Sequence, residues 1–198
     1  AKLPGLYEAT VKAPAADEKA GYTFAGWSDG ENLYAAGADV KVPLNGATLT
    51  ATYTPNADTA YTVNIYTMDI DGVYGEAEAV PGTVGTTGET VTYTAAPGEG
   101  LYLDTQKSTP ELKTTITVDD SDVINVYYAR NAYEVKVDGV AQEKKVYHGA
   151  TFTAPSTSTT TKTGYKLTGW TVGDKSYGIG AAIPVTSAIE LVAVNTAN

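Results

Sequence analysis

Gly21-Tyr22-Thr23-Phe24-Ala25-Gly26-Trp27 recurs as Gly164-Tyr165-Lys166-Leu167-Thr168-Gly169-Trp170, and the reading of this chain starts from that duplication. The similarity extends outward on both sides. Tyr34 and Gly37 match Tyr177 and Gly180, and Val40 and Val42 match Ile183 and Val185. Leu49 and Ala51 match Leu191 and Ala193 after a one-residue deletion, and Ala13-Pro14 upstream matches Ala154-Pro155. Within the motif Tyr22 and Phe24 share one strand face, while Trp27 has the opposite parity. An extra residue at Gly26 returns the indole to the same side, so the spacing predicts a β-bulge in both copies, at Gly26 and at Gly169. Glycine tolerates that distortion best. Trp27 and Trp170 are read as core plugs, against the alternative of an exposed platform for a sugar ring.

Valine, threonine and tyrosine dominate the rest, which favours β-structure. Tyr61, Val63 and Ile65 alternate with polar residues, as do Tyr133, Val135 and Val137. Asp71-Gly72 and Asp138-Gly139 follow them and predict hairpin turns. Further strands are expected at Lys41 to Leu44, Thr48 to Tyr53, Val91 to Thr94, Ile116 to Val118, Val123 to Tyr128 and Ile189 to Val194. Short helices are expected only near Pro14 to Ala20 and Thr109 to Lys113. The fold class is therefore mainly β: three tandem modules in an elongated arrangement, 1–56, 57–130 and 131–198, divided at turn-rich junctions. The first module lacks the opening strand that Tyr133 to Val137 supplies to the third. Either the sequence begins inside a repeat, or another chain's strand completes the unit.

At these residues the outer modules resemble the Listeria-Bacteroides repeat, also called the internalin-type B repeat. Its hallmark is Gly-Tyr-x-Phe-x-Gly-Trp followed by a strand of the type Thr-Leu-x-Ala-x-Trp. Thr48-Leu49-Thr50-Ala51-Thr52-Tyr53 is similar, with tyrosine ending it, whereas Glu190-Leu191-Val192-Ala193-Val194 ends without an aromatic. The middle module is similar to mucin-binding-protein-type repeats, through Tyr61 to Tyr66, Asp71-Gly72, Gly82 to Gly85 and Val126 to Arg130. The resemblance implies β-grasp-like modules of extracellular, cell-surface or cell-wall proteins of Gram-positive bacteria, serving as stalks or adhesion segments. No catalytic residue transfers from it.

Composition narrows function in the same direction. Thirteen Lys and Arg against 23 Asp and Glu give a net charge of −10, which disfavours nucleic acid and anionic membranes. Cysteine is absent, excluding disulfides and thiolate chemistry, and one histidine, His148, allows no two-histidine metal site. His148 is read as a surface or turn residue. Asp69, Asp71 and Glu76, and likewise Asp119, Asp120 and Asp122, are read as turn carboxylates, with a cation loop as the alternative. Thr157 to Thr163 is read as a solvated connection, with sugar attachment as the alternative. No Asn-x-Ser/Thr site and no recognisable isopeptide pattern occur. No apolar run is long enough to span a membrane, and no basic stretch leads into an apolar one near residue 1. The expectation is therefore a stalk with no catalytic, cofactor-binding or metal residues. Its expected partners are neighbouring modules or other copies of itself, with a glycan or host protein as ligand in the adhesive alternative.

Overall fold

The computed structural model describes residues 2–3, 8–118 and 122–198. The described residues are built from β-strands, with one short 3-10 turn at Pro110–Leu112 as their helical element. The chain divides into two compact units. One comprises Ala1–Val63, Val80–Tyr93 and Lys113–Ile124; the other comprises Asn64–Ala79, Thr94–Leu112 and Asn125–Asn198.

In the first unit the duplicated motif forms the strand Tyr22–Ser28, central in a three-stranded sheet between Leu33–Tyr34 and Thr50–Pro55. Its register with Thr50–Pro55 shifts between Phe24 and Gly26, so the expected bulge is present. In the second unit Tyr165–Val172 carries the same shift between Leu167 and Gly169. A side chain at either glycine has no room. A Cβ at Gly26 would lie 2.6 Å from the Leu33 side chain and 3.1 Å from the Tyr34 carbonyl oxygen, and one at Gly169 would lie 2.7 Å from the Tyr177 carbonyl oxygen. The neighbouring strand runs over the bulge, and only glycine lets it approach.

The bulge turns both indoles inward. Trp27 packs with Ala13, Val40 and Leu49, and Trp170 with Val135, Ala154, Ile183, Val185 and Leu191. The antiparallel pairs Thr10–Lys12 with Asp39–Lys41 and Thr151–Thr153 with Ala182–Pro184 close the two cores in matching register. Burying side chains of this size stabilises by roughly 1.5–3 kcal/mol each. It is the main reserve of so small a core.

The two copies differ at the far edge. In the second unit Val135–Val137 lies parallel beside Ile189–Ala197 and forms a hairpin with Val140–Ala141 through Asp138-Gly139, both at positive φ. In the first unit the matching positions, Ala47–Thr48, pair antiparallel with Lys2–Leu3. The rest of the first unit contains the pairs Thr59–Ala60 with Val84–Gly85 and Thr90–Thr92 with Lys113–Thr115. Most residues of a further sheet, in the order Glu78–Ala79, Thr62–Thr67, Val123–Arg130, Leu101–Leu103, belong to the second unit.

Four expectations need correction. The strand expected at Lys41 to Leu44 lies earlier, at Asp39–Lys41, and Pro43, which has no amide hydrogen to give a ladder, stands beyond its end. Residues 14–18 are irregular, not helical, because their carbonyls are spent elsewhere: Pro14 accepts from the Trp27 indole and Asp17 from the Tyr53 hydroxyl. The helix near Thr109 ends at Leu112, since Glu111 and Leu112 stand at φ 52° and 51°, and Lys113 already begins a strand. That strand, Lys113–Thr115, lies earlier than Ile116 to Val118. The amides of Thr117 and Val118 donate to the buried Asp122 carboxylate instead of a neighbouring strand.

Candidate functional site

The residues that converge on an open cleft belong to the first unit. After Trp27 takes the Pro14 carbonyl, the backbone runs irregularly through Ala16 to Ala20 and turns at Gly21, whose φ of 74° matches the 84° of Gly164. The Tyr22 amide closes this turn on the Lys19 carbonyl at 3.0 Å. Across the sheet, register places Tyr53 opposite Phe24 and Pro55 opposite Tyr22. The result is a cleft of about 620 Å³ lined by Asp17, Glu18, Lys19, Tyr22, Phe24, Tyr53 and Asn56, among others. Its volume is in the range of small-ligand sites, roughly 300–1,000 Å³.

The aromatic rings are ordered from the core outward. Phe24 meets Trp27 edge to face at 5.7 Å and Tyr53 at 5.6 Å. Tyr53 is fixed by the hydroxyl it donates to the Asp17 carbonyl at 2.7 Å. The Lys19 ammonium stands 3.7 Å over the centre of the Tyr22 ring and 5.7 Å from that of Tyr53. An ammonium in that position shows that the face of Tyr22 is turned into the cleft. Lys19 is exposed, and a contact of this kind holds it by about 0.5–1 kcal/mol. Asn56 is held in place on the cleft wall: its backbone amide donates to the Gly21 carbonyl, and its side-chain oxygen accepts from the Thr23 hydroxyl at 2.8 Å.

The equivalent corner of the second unit is smaller and more polar. Leu167 replaces Phe24, Asn195 stands opposite it where Tyr53 stood, and the recess formed with Thr160, Lys162 and Tyr165 is about 230 Å³. The Thr161 hydroxyl donates to the Asn195 side-chain oxygen at 2.6 Å and ties the loop to that strand.

The other residues singled out in the sequence have structural work. Trp27 is 9% exposed and Trp170 fully buried, so neither offers a platform for a sugar. His148 lies in a turn, half-buried, its amide donating to Asn131 and its Nδ1 3.4 Å from the Tyr133 hydroxyl. Asp69 accepts the amides of Asp71 and Val73 and so caps its own turn. Asp122 accepts from the amide and hydroxyl of Thr117 and the amide of Val118. Asp119 and Asp120 lie outside the described residues. Among the described residues no group of three or more His, Asp or Glu is placed to hold a metal ion.

Two features escaped the sequence reading. The threonine-rich loop is not simply solvated: Asp138 accepts from the Ser158 hydroxyl at 2.6 Å, from the Thr159 amide and from the Thr160 hydroxyl, and ties the loop down. In the second unit Tyr66 and Tyr127 stack at 4.3 Å with Tyr74 edge-on to Tyr127. The Tyr74 hydroxyl donates to Asp104; burial first, and that carboxylate second, push the Tyr74 phenol up. These rings spend faces and edges on one another, as packing does, whereas the face of Tyr22 in the cleft carries the exposed Lys19 side chain.

The geometry that the two copies share, a bulged strand, a buried indole and a proline carbonyl beneath it, coincides with two matches to one family model, that of the Listeria-Bacteroides repeat domain, over residues 6–52 and 125–194. The chain belongs to the Listeria-Bacteroides repeat family. This family is typical of bacterial surface proteins. No curated protein and no solved structure matches the chain. Both Gly-Trp motifs fall inside the matched repeats, and so do Lys19 and Tyr22, with Tyr53 just beyond the first match. Among the described residues, no helix is long and apolar enough to cross a membrane.

Proposed function

We propose that the chain is a non-catalytic spacer segment of a bacterial cell-surface or secreted protein, built of three tandem β-grasp-like modules. The middle one is of the mucin-binding-protein type, and the partners are neighbouring modules of a longer chain. The observation that carries this reading is the duplication of a packing device. The matched pairs Trp27 and Trp170, Val40 and Ile183, and Leu49 and Leu191 are core residues in both copies. A stalk needs modules that fold alike more than it needs a reactive group. Antibodies raised against the chain should label intact cells of the bacterium that encodes it. Labelling that appears only after lysis would refute a surface location.

A second reading, an adhesive module, is favoured by one specific observation, the open aromatic cleft at Tyr22 and Tyr53 in the first repeat. Beads coated with the full chain should then adhere to mucin or to glycan-coated surfaces, and beads that adhere to none of them leave the spacer alone.

A further inference from the structure

We propose that the cleft formed by Tyr22, Tyr53, Lys19, Asp17, Glu18 and Asn56 binds a short, uncharged oligosaccharide. The inference rests on the adhesive reading and gives it a place and a ligand class.

Three observations lead there. The first is the pair of tyrosines. The Lys19 ammonium, 3.7 Å above Tyr22 and 5.7 Å from Tyr53, covers a ring face in the cleft beside a second ring. Because that lysine is exposed and held by only about 0.5–1 kcal/mol, a ligand can displace it and stack in its place. The C–H face of a pyranose, weakly positive, packs on such a π surface as other positive edges do. Tyr53 is already held by its hydrogen bond to Asp17, so little freedom is lost on binding. The second is the polar rim. Asp17 and Glu18 supply carboxylate acceptors, Lys19 an ammonium donor and Asn56 an amide, spaced around an apolar floor. Sugar hydroxyls both donate and accept, and this mixed set suits them better than it suits a purely apolar or purely cationic molecule. Charge selects further. Two carboxylates on the rim and a chain charge of −10 oppose a sialylated or sulfated glycan.

The third observation is the contrast between copies. The fold alone does not generate this cleft, because the second repeat replaces Phe24 and Tyr53 by Leu167 and Asn195 and keeps only about 230 Å³ there. Leu49 and Trp27 belong to the buried core, whereas Tyr53 and Tyr22 are half-exposed and line the cleft.

The test is a printed array of neutral di- to tetrasaccharides beside sialylated and sulfated ones, probed with the full chain, followed by titration calorimetry on the best neutral ligand. Tyr22→Ala and Tyr53→Ala should each weaken binding about tenfold, the loss of one aromatic contact. Tyr165→Ala, at the equivalent place in the second repeat, should leave it unchanged. Unaltered circular dichroism and tryptophan emission would show that each variant is folded. Binding of no neutral oligosaccharide, or only of sialylated or sulfated ones, overturns the proposal. Neutral-sugar binding that survives the Tyr22→Ala/Tyr53→Ala double change also overturns it while leaving the adhesive reading standing. Adhesion of coated beads to none of the surfaces would remove the adhesive reading itself.

Discussion

The indole N–H of Trp170 donates to the carbonyl of Pro155 at 2.8 Å, and the copy of this bond, from Trp27 to Pro14, has the same length. Each bond ties the bulged strand to the loop that precedes it. It also satisfies the one polar atom that a buried tryptophan carries into a core.

Trp170→Phe is therefore expected to destabilise the second unit by about 2–4 kcal/mol, from lost volume plus an unpaired carbonyl. Trp27→Phe should cost less, because Trp27 is 9% exposed and Trp170 is not exposed at all. Urea denaturation of each variant and of the unaltered chain, followed by circular dichroism, measures the two costs. Equal costs would count against this account.

Gly169→Ala sets a methyl group 2.7 Å from the Tyr177 carbonyl oxygen, a backbone atom that cannot move without breaking the strand pair. A loss of about 2 kcal/mol or more in thermal unfolding is expected. Gly178→Ala, where nothing lies within 4 Å and φ is ordinary, is the control and should be neutral or slightly stabilising.

Asp138 governs the response to acid. Partial burial is the largest single influence and works upward, but donation from Ser158, Ala193, Thr159 and Thr160 together outweighs it and holds the carboxyl below the usual range. A depressed carboxylate contributes stability that is present above its unfolded value, about 3.9, and is lost as pH falls through the lower folded value. The threonine-rich loop should thus loosen only below about pH 4. Asp138→Asn, which suits the positive φ of 50° at this position, should flatten that acid limb. At neutral pH it should also speed tryptic cleavage after the exposed Lys162.

Asp122 is 3% exposed and accepts two bonds from Thr117, at 2.7 and 2.6 Å, and one from Val118 at 3.2 Å. Asp122→Ala removes the acceptor for these donors and should lower stability by about 2–4 kcal/mol, read as a drop in melting temperature of the first unit. Millimolar calcium should not shift the melting temperature of the unaltered chain, since both carboxylate oxygens of Asp122 and the Oδ1 of Asp69 already accept from backbone and hydroxyl donors. A rise with calcium would restore the cation-loop reading.

The sequence by itself determined the β class, the duplication, the bulge at each Gly-Trp pair, the inward face of each motif and the Asp138-Gly139 hairpin. All of these follow from parity, turn chemistry and spacing over a few residues, which act locally along one strand. Tertiary structure alone decided the rest. That Tyr53 stands beside Phe24, that Lys19 covers Tyr22, that residues 14–18 give up a helix to offer carbonyls to Trp27 and Tyr53, and that Asp138 gathers a loop twenty residues away all depend on strand register and chain closure. Such contacts join segments distant in sequence, and no local pattern records which partner each side chain will meet.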